Sequence, residues 1–224
     1  MNNSILLQYL MRAEFSKIKK VLDLGCNFPK DLYRIQLQLN PKLLVGVDSM
    51  KEIDAVSTSD ENEEEPEIES DESVAVYKRY VRYMTPIAGS KLLEFEEFQK
   101  TFDFYYEQEL TDFVSKQDCK GFDLLILKQI LHFYPSDGQR ISKMEELLNN
   151  FDSGCVVFIS VWGPHPGFSR DGENPVHPFN FEEFNELCSS LIPIHGPVKT
   201  MIERGFLKCP KTYCDLYEFF GRIK

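Results

Sequence analysis

Apolar residues in this chain gather into short unbroken runs, and amphipathic stretches lie between them. Residues 19–25 (KKVLDLG), 43–49 (LLVGVDS), 122–128 (FDLLILK) and 154–163 (GCVVFISVWG) are too short for buried helices, and their unbroken apolar character predicts strands covered on both faces. Residues 102–108 (FDFYYEQ) are strand-like, and the tail 208–224 (KCPKTYCDLYEFFGRIK) predicts one or two antiparallel strands. Helical periodicity covers residues 3–16, residues 30–39 ahead of Pro41, residues 91–100, residues 136–151 behind a capping signal, and residues 180–191 behind Asn180. Strand and helix therefore alternate, which is the pattern of a doubly wound α/β sheet. Residues 51–73 break it with a polar, acidic stretch, and residues 164–178 form a proline-rich loop.

Composition narrows the class. With 224 residues, 42% of them hydrophobic, the chain suits one domain with an insertion. No apolar run approaches the ~20 residues of a membrane helix, and the N-terminal stretch predicts an amphipathic helix rather than a signal peptide. The six cysteines form no C-x-x-C pair, so free thiols in a reducing compartment are expected. Net charge is −11, but residues 60–72 hold nine acids and no base, and without them the remainder carries only −2. That balance disfavours a broad nucleic-acid footprint.

In a doubly wound sheet, ligands bind beyond the carboxyl ends of the strands. Asp23 and Gly25 close the first strand, and Gly25 can let the backbone approach a ligand. Asp48 ends the second, where a carboxylate can accept from both ribose hydroxyls of an adenosine. Glu109 and Leu110 follow the third strand; Lys128, Gln129 and His132 follow the fourth. A dinucleotide G-x-G-x-x-G is absent beyond Gly25, and no G-K-[ST] marks a P-loop.

The strings VLDLGC, LLVGVDS, FDLLILKQILHFY and GCVVFISVWG, taken together in this order, resemble the class I S-adenosylmethionine-dependent methyltransferases over most of residues 19–163. The resemblance implies a mostly parallel seven-stranded sheet with an antiparallel C-terminal hairpin and helices on both faces. One such domain is expected over residues 1–224, and the acidic composition marks an insertion at 51–100 between strands two and three, with an acidic mobile loop, 54–73. The implied cofactor is S-adenosylmethionine. Asp23, Gly25, Cys26 and Asn27 would shape and line its amino-acid end. Asp48 would bind the ribose; Ser49, Met50, Glu109 and Leu110 would flank the adenine; and Lys128 and Gln129 would run beside the methyl donor and acceptor. Where the family reads D-x-G-x-G-x-G, Asn27 and Pro29 stand at the second and third glycine positions. Asn tolerates positive φ and Pro suits a first helical turn, so the departure bears on how closely the cofactor carboxylate approaches.

The strand-four end lacks the N/D-P-P-Y/F of amino-group methylation, which leaves a small-molecule acceptor as the expectation and an RNA or protein acceptor, or a non-catalytic binding protein, as alternatives. His132 is the candidate base and Lys128 a candidate partner for an acidic acceptor. His165 and His177 match no metal-ligand spacing, and a lid over the acceptor is the reading of their loop. Residues 75–83 (AVYKRYVRY) alternate bases and tyrosines, either as a packed amphipathic helix or as a nucleic-acid contact. A cytoplasmic protein, with nuclear residence open, completes the expectation; no metal and no membrane are expected.

Overall fold

The computed structural model describes residues 5–12, 15–26, 30–48, 102–105, 110–135, 139–165, 176–206 and 209–224. The apolar runs become β1 (Lys20–Leu24), β2 (Leu43–Val47), β4 (Leu124–Lys128) and β5 (Val156–Trp162). Each is buried along nearly its whole length, as strands enclosed on both faces must be. β3 (Phe102–Tyr105), β6 (Ile192–Phe206) and β7 (Cys209–Arg222) complete a seven-stranded sheet in the order β3-β2-β1-β4-β5-β7-β6. All pairs from β3 to β5 are parallel, whereas β7 is antiparallel to both β5 and β6.

The helices are α1 (Ile5–Leu10), α2 (Lys30–Leu39), α3 (Leu110–Lys116), α4 (Gln139–Leu148) and α5 (Phe181–Cys188). Strand residues alternate between two cores, as period two requires. On one face Leu22, Leu24, Leu125, Leu127, Val157 and Ile159 meet Phe113 and Val114 of α3, Met144 and Leu147 of α4, and Phe184 and Leu187 of α5. On the other, Val21, Leu124, Ile126, Val156 and Phe158 meet Leu6 and Leu10 of α1, and Leu32 and Ile35 of α2. The doubly wound, mostly parallel architecture agrees with the sequence pattern. Asn40 ends α2 in the left-handed region (φ 45°), its N–H donating to the Gln36 carbonyl at 3.0 Å. Asn180 caps α5, accepting from the Glu183 N–H at 2.8 Å.

Four elements differ from the expectation. α1 is shorter than residues 3–16, because the Arg12 N–H turns back to the Tyr9 carbonyl (3.0 Å). α3, between β3 and β4, was not expected; it carries a single apolar turn, Leu110, Phe113 and Val114. A short 3-10 helix, Leu131–Phe133, follows β4 where the sequence pattern marks no element. β6 is a full-length edge strand whose register slips between Pro193 and His195, between His195 and Val198, and between Arg204 and Phe206, which breaks the alternation that would reveal it. β5 pairs with β7 only as far as Trp162–Leu216, so residues 209–215 run on past the carboxyl ends of the parallel strands, paired with β6. The 51–100 insertion lies outside the described residues, as does the 75–83 stretch. Among the described residues no helix is long and apolar enough to cross a membrane.

Candidate active site

The carboxyl ends of β1, β2, β4 and β5 meet on one edge. The β1 turn is tied to β2: the Gly25 and Cys26 N–H groups both donate to the Val47 carbonyl, at 2.7 and 3.1 Å. Gly25 has φ 73°, a conformation that costs any L-residue with a β-carbon. A β-carbon there would also overlap the Ile130 Cγ2 methyl. The glycine therefore admits Ile130, from the turn after β4, against the β1 backbone.

Register places Asp23 opposite Gly46, and Asp48 lies two residues further along β2. Both carboxylates accordingly sit on the face of the sheet shared with α1 and α2, and both residues are buried. Cys26 is buried beside them. Burial pushes its thiol well above the ordinary value, and the Asp23 and then the Asp48 charges push it further in the same direction. Carboxylates beside a neutral thiol can accept hydrogen bonds from hydroxyl and ammonium groups. Among the described residues no group of three or more His, Cys, Asp or Glu is arranged to hold a metal ion.

The β4 end forms the other half. Lys128 is half-buried and pairs across to Ser160 of β5, which in turn pairs with Glu218 of β7. Gln129 has φ 59°, uncommon for a residue with a side chain, and its N–H donates to the Ser160 carbonyl at 2.6 Å. This left-handed step turns Ile130 back toward Gly25 and starts the 3-10 helix. His132 is buried there, its ring 4.5 Å from that of Phe133. Ser160 and Glu218, absent from the sequence reading, are buried on the same sheet face as Lys128. Among the described residues the Ser160 hydroxyl makes no hydrogen bond.

A third group was invisible in the sequence. Arg140, on α4, is only 1% exposed. It donates to the His177 carbonyl (2.6 Å), pairs with the Glu183 carboxylate (2.9 and 3.1 Å), and lies 3.9 Å over the Phe179 ring. The same stretch returns two backbone bonds: His177 N–H to the His132 carbonyl (2.7 Å) and Phe179 N–H to the Trp162 carbonyl (2.9 Å). Thus the end of the proline-rich loop is fastened to the β4 turn, the β5 exit, α4 and α5 at once.

Of the sequence candidates, Asp23, Gly25, Cys26 and Asp48 come together at β1 and β2. Lys128, Gln129 and His132 come together after β4, and Ile130 joins the two groups. Leu110 opens α3, half-buried. Asn27, Ser49, Met50 and Glu109 lie outside the described residues. His165 is buried just after β5 and His177 is half-buried.

The buried thiols carry a first prediction. Burial raises Cys119 to about 11 and Cys155 to about 12, and pushes up Cys188 as it does Cys26. A disulfide reagent at pH 8 is expected to modify these four about a hundredfold more slowly in the native protein than in denaturant. Mass spectrometry showing Cys26 modified at the denatured rate would contradict the site described.

No family model matches the chain, and no curated protein matches it. Solved structures do. A methyltransferase from Methanosarcina mazei described as S-adenosylmethionine-dependent is 14% identical, with 100% of this chain and 100% of that one covered and a TM-score of 0.54. The 1,6-didemethyltoxoflavin-N1-methyltransferase of Burkholderia thailandensis, solved with its namesake substrate and S-adenosylhomocysteine, is 17% identical, covering 96% and 76%, TM-score 0.52. The N-methyltransferase NodS of Bradyrhizobium japonicum is 10% identical, covering 96% and 92%, TM-score 0.51. At these identities what is shared is the fold, and the chain has the fold of class I S-adenosylmethionine-dependent methyltransferases. Its antiparallel β7 lies between β5 and β6, at one end of an otherwise parallel sheet.

Proposed function

We propose that this protein transfers a methyl group from S-adenosylmethionine to a small-molecule acceptor. The observation that carries the reading is the buried Asp48 carboxylate at the end of β2, beside the β1 turn in which Gly25 and Cys26 are tied to Val47. Bound there, S-adenosylmethionine supplies a methyl group activated by a sulfonium. Asp48 accepts from the ribose hydroxyls, and Ser49, Met50, Glu109 and Leu110 flank the adenine. Asp23, Gly25, Cys26 and Asn27 line the amino-acid end. Burial and the two carboxylates keep the Cys26 thiol protonated, so it does not compete as a nucleophile for the methyl group.

Lys128, Gln129 and His132 form the acceptor side. The left-handed Gln129 fixes the backbone there, and Lys128 offers a positive charge to an acidic acceptor. In-line transfer to O, N or S depends chiefly on position, so rigidity on this side serves the reaction directly. His132, buried against Phe133, takes the acceptor's proton where one must leave. The neighbour solved with its small-molecule substrate supports this acceptor class, and a cytoplasmic location belongs to the same proposal.

One observation favours a second reading, a non-catalytic binding protein on the same fold: Ile130 occupies the space over Gly25 that an open glycine would leave to a ligand. Methyl transfer to an acceptor separates the two, and Asp48→Ala tests the cofactor side on which the first reading rests. Loss of charge-assisted bonds of ~1.5–3 kcal/mol should weaken S-adenosylhomocysteine binding roughly 10- to 100-fold in calorimetry. Equal affinity in the variant and the parent would remove Asp48 from the cofactor site.

A further inference from the structure

We infer that Arg140 is a positioning residue for the acceptor side of the site, acting through the segment 176–183 and separately from the cofactor side. The inference rests on the methyltransferase reading only in naming the side it serves. Three physical points support it.

First, Arg140 reaches its partners with a directional fork rather than a diffuse charge. One nitrogen donates to the His177 carbonyl, another to Glu183, and the guanidinium plane stacks on Phe179. Such a planar set of donors fixes orientation as well as distance. Second, what it holds is connected to the site by backbone. His177 N–H bonds the His132 carbonyl, in the turn that begins at Gln129; Phe179 N–H bonds the Trp162 carbonyl, at the last residue of β5. A shift at Arg140 is therefore passed to the ends of β4 and β5. Third, the backbone anchors of the cofactor side, the Gly25 and Cys26 bonds to Val47, do not run through Arg140, and the Ile130 contact with Gly25 lies ahead of His132, where the held segment attaches.

A buried pair used only for stability can be exchanged for apolar side chains of similar size without loss, and that supplies the test. In the full chain, Arg140→Met combined with Glu183→Leu keeps the packing and removes the fork. Trp162 is the sole tryptophan and is buried, so its fluorescence reports on the β5 exit. In the double variant we expect thermal stability close to the parent's. Trp162 emission should shift to the red, with faster acrylamide quenching. Amide exchange at His177 and Phe179 should rise about five- to tenfold, as expected when a bond of ~1 kcal/mol is lost. S-adenosylhomocysteine affinity should stay within about twofold. Arg140→Lys, which keeps the charge beside Glu183 but not the fork, should show the same local changes to a smaller degree and provides the readout if the double variant does not fold.

Unchanged Trp162 emission and unchanged exchange at His177 and Phe179 in a stable variant would overturn the proposal. So would a cofactor affinity that falls as far as the local signals change, since Arg140 would then support the whole site. If the parent itself bound no S-adenosylhomocysteine, the methyltransferase reading would fail, while the fluorescence and exchange results would still decide whether Arg140 positions the β4 and β5 ends.

Discussion

Gly25→Ala is expected to destabilise the protein by about 2–5 kcal/mol and to abolish cofactor binding. The left-handed backbone alone costs an L-residue roughly 1–2 kcal/mol. The new methyl would overlap the Ile130 side chain, and overpacking of this kind costs about 1–3 kcal/mol more. Relief requires the β1 turn and the β4 turn to separate, which moves Cys26 and the Asp23–Asp48 pair relative to Lys128 and Gln129. Ile130→Ala alone should destabilise through the cavity it leaves, by about 2–5 kcal/mol. The two changes together should cost about 1–3 kcal/mol less than their sum, because the overlap disappears. Urea unfolding of the four proteins measures this coupling. Additive costs would mean that the two turns do not press on each other.

Arg140→Ala is the second large effect. It leaves Glu183 without its counter-charge, frees the His177 carbonyl and uncovers Phe179, for an expected loss of about 3–5 kcal/mol. In a chain of this size that lowers the melting temperature by roughly 6–20 °C. Glu183→Gln should cost much less. Burial pushes the Glu183 carboxyl above its ordinary value, and Arg140 offsets this only in part, so a neutral side chain already suits the place.

The pH dependence follows in sign. A carboxyl whose pKa is higher folded than unfolded contributes stability that is full below the unfolded value, about 4.3, and is lost as pH rises through the folded value. Removing Arg140 raises the folded value further. The stability lost between pH 4 and pH 7 should therefore be larger in Arg140→Ala than in the parent, and Glu183→Gln should remove this component. A variant that instead gains stability over that range relative to the parent would contradict the arrangement around Arg140.

How far the sequence reveals this protein depends on the range of the interactions that form each part. The strands β1, β2, β4 and β5 are legible because both faces are buried and the apolar run is local. The Asn180 cap is legible because its partner, Glu183, is three residues away. Asp23 and Asp48 are legible by position, at the close of two apolar runs. α3 is not, because one turn of apolar residues carries too little periodicity to stand out beside acidic and polar neighbours. β6 is not, because it is a half-exposed edge strand with Pro193, Gly196 and Pro197 in its first half and slips in its register. The Arg140 group is not, because its partners lie 37 and 43 residues away and nothing in QRISKMEELL sets the arginine apart from a surface helix residue. The contact of Gly25 with Ile130 belongs to the same class: the glycine is visible, but the side chain that needs it comes from another strand.

The account turns on the carboxylates at the ends of β1 and β2 and on the turn between them. Calorimetric titration of the full chain with S-adenosylhomocysteine tests it most directly. Saturable one-to-one binding with a dissociation constant in the range of roughly 1–100 μM, about −8 to −5.5 kcal/mol, is the predicted result. No binding heat at millimolar ligand, from protein whose buried thiols remain protected, would contradict it.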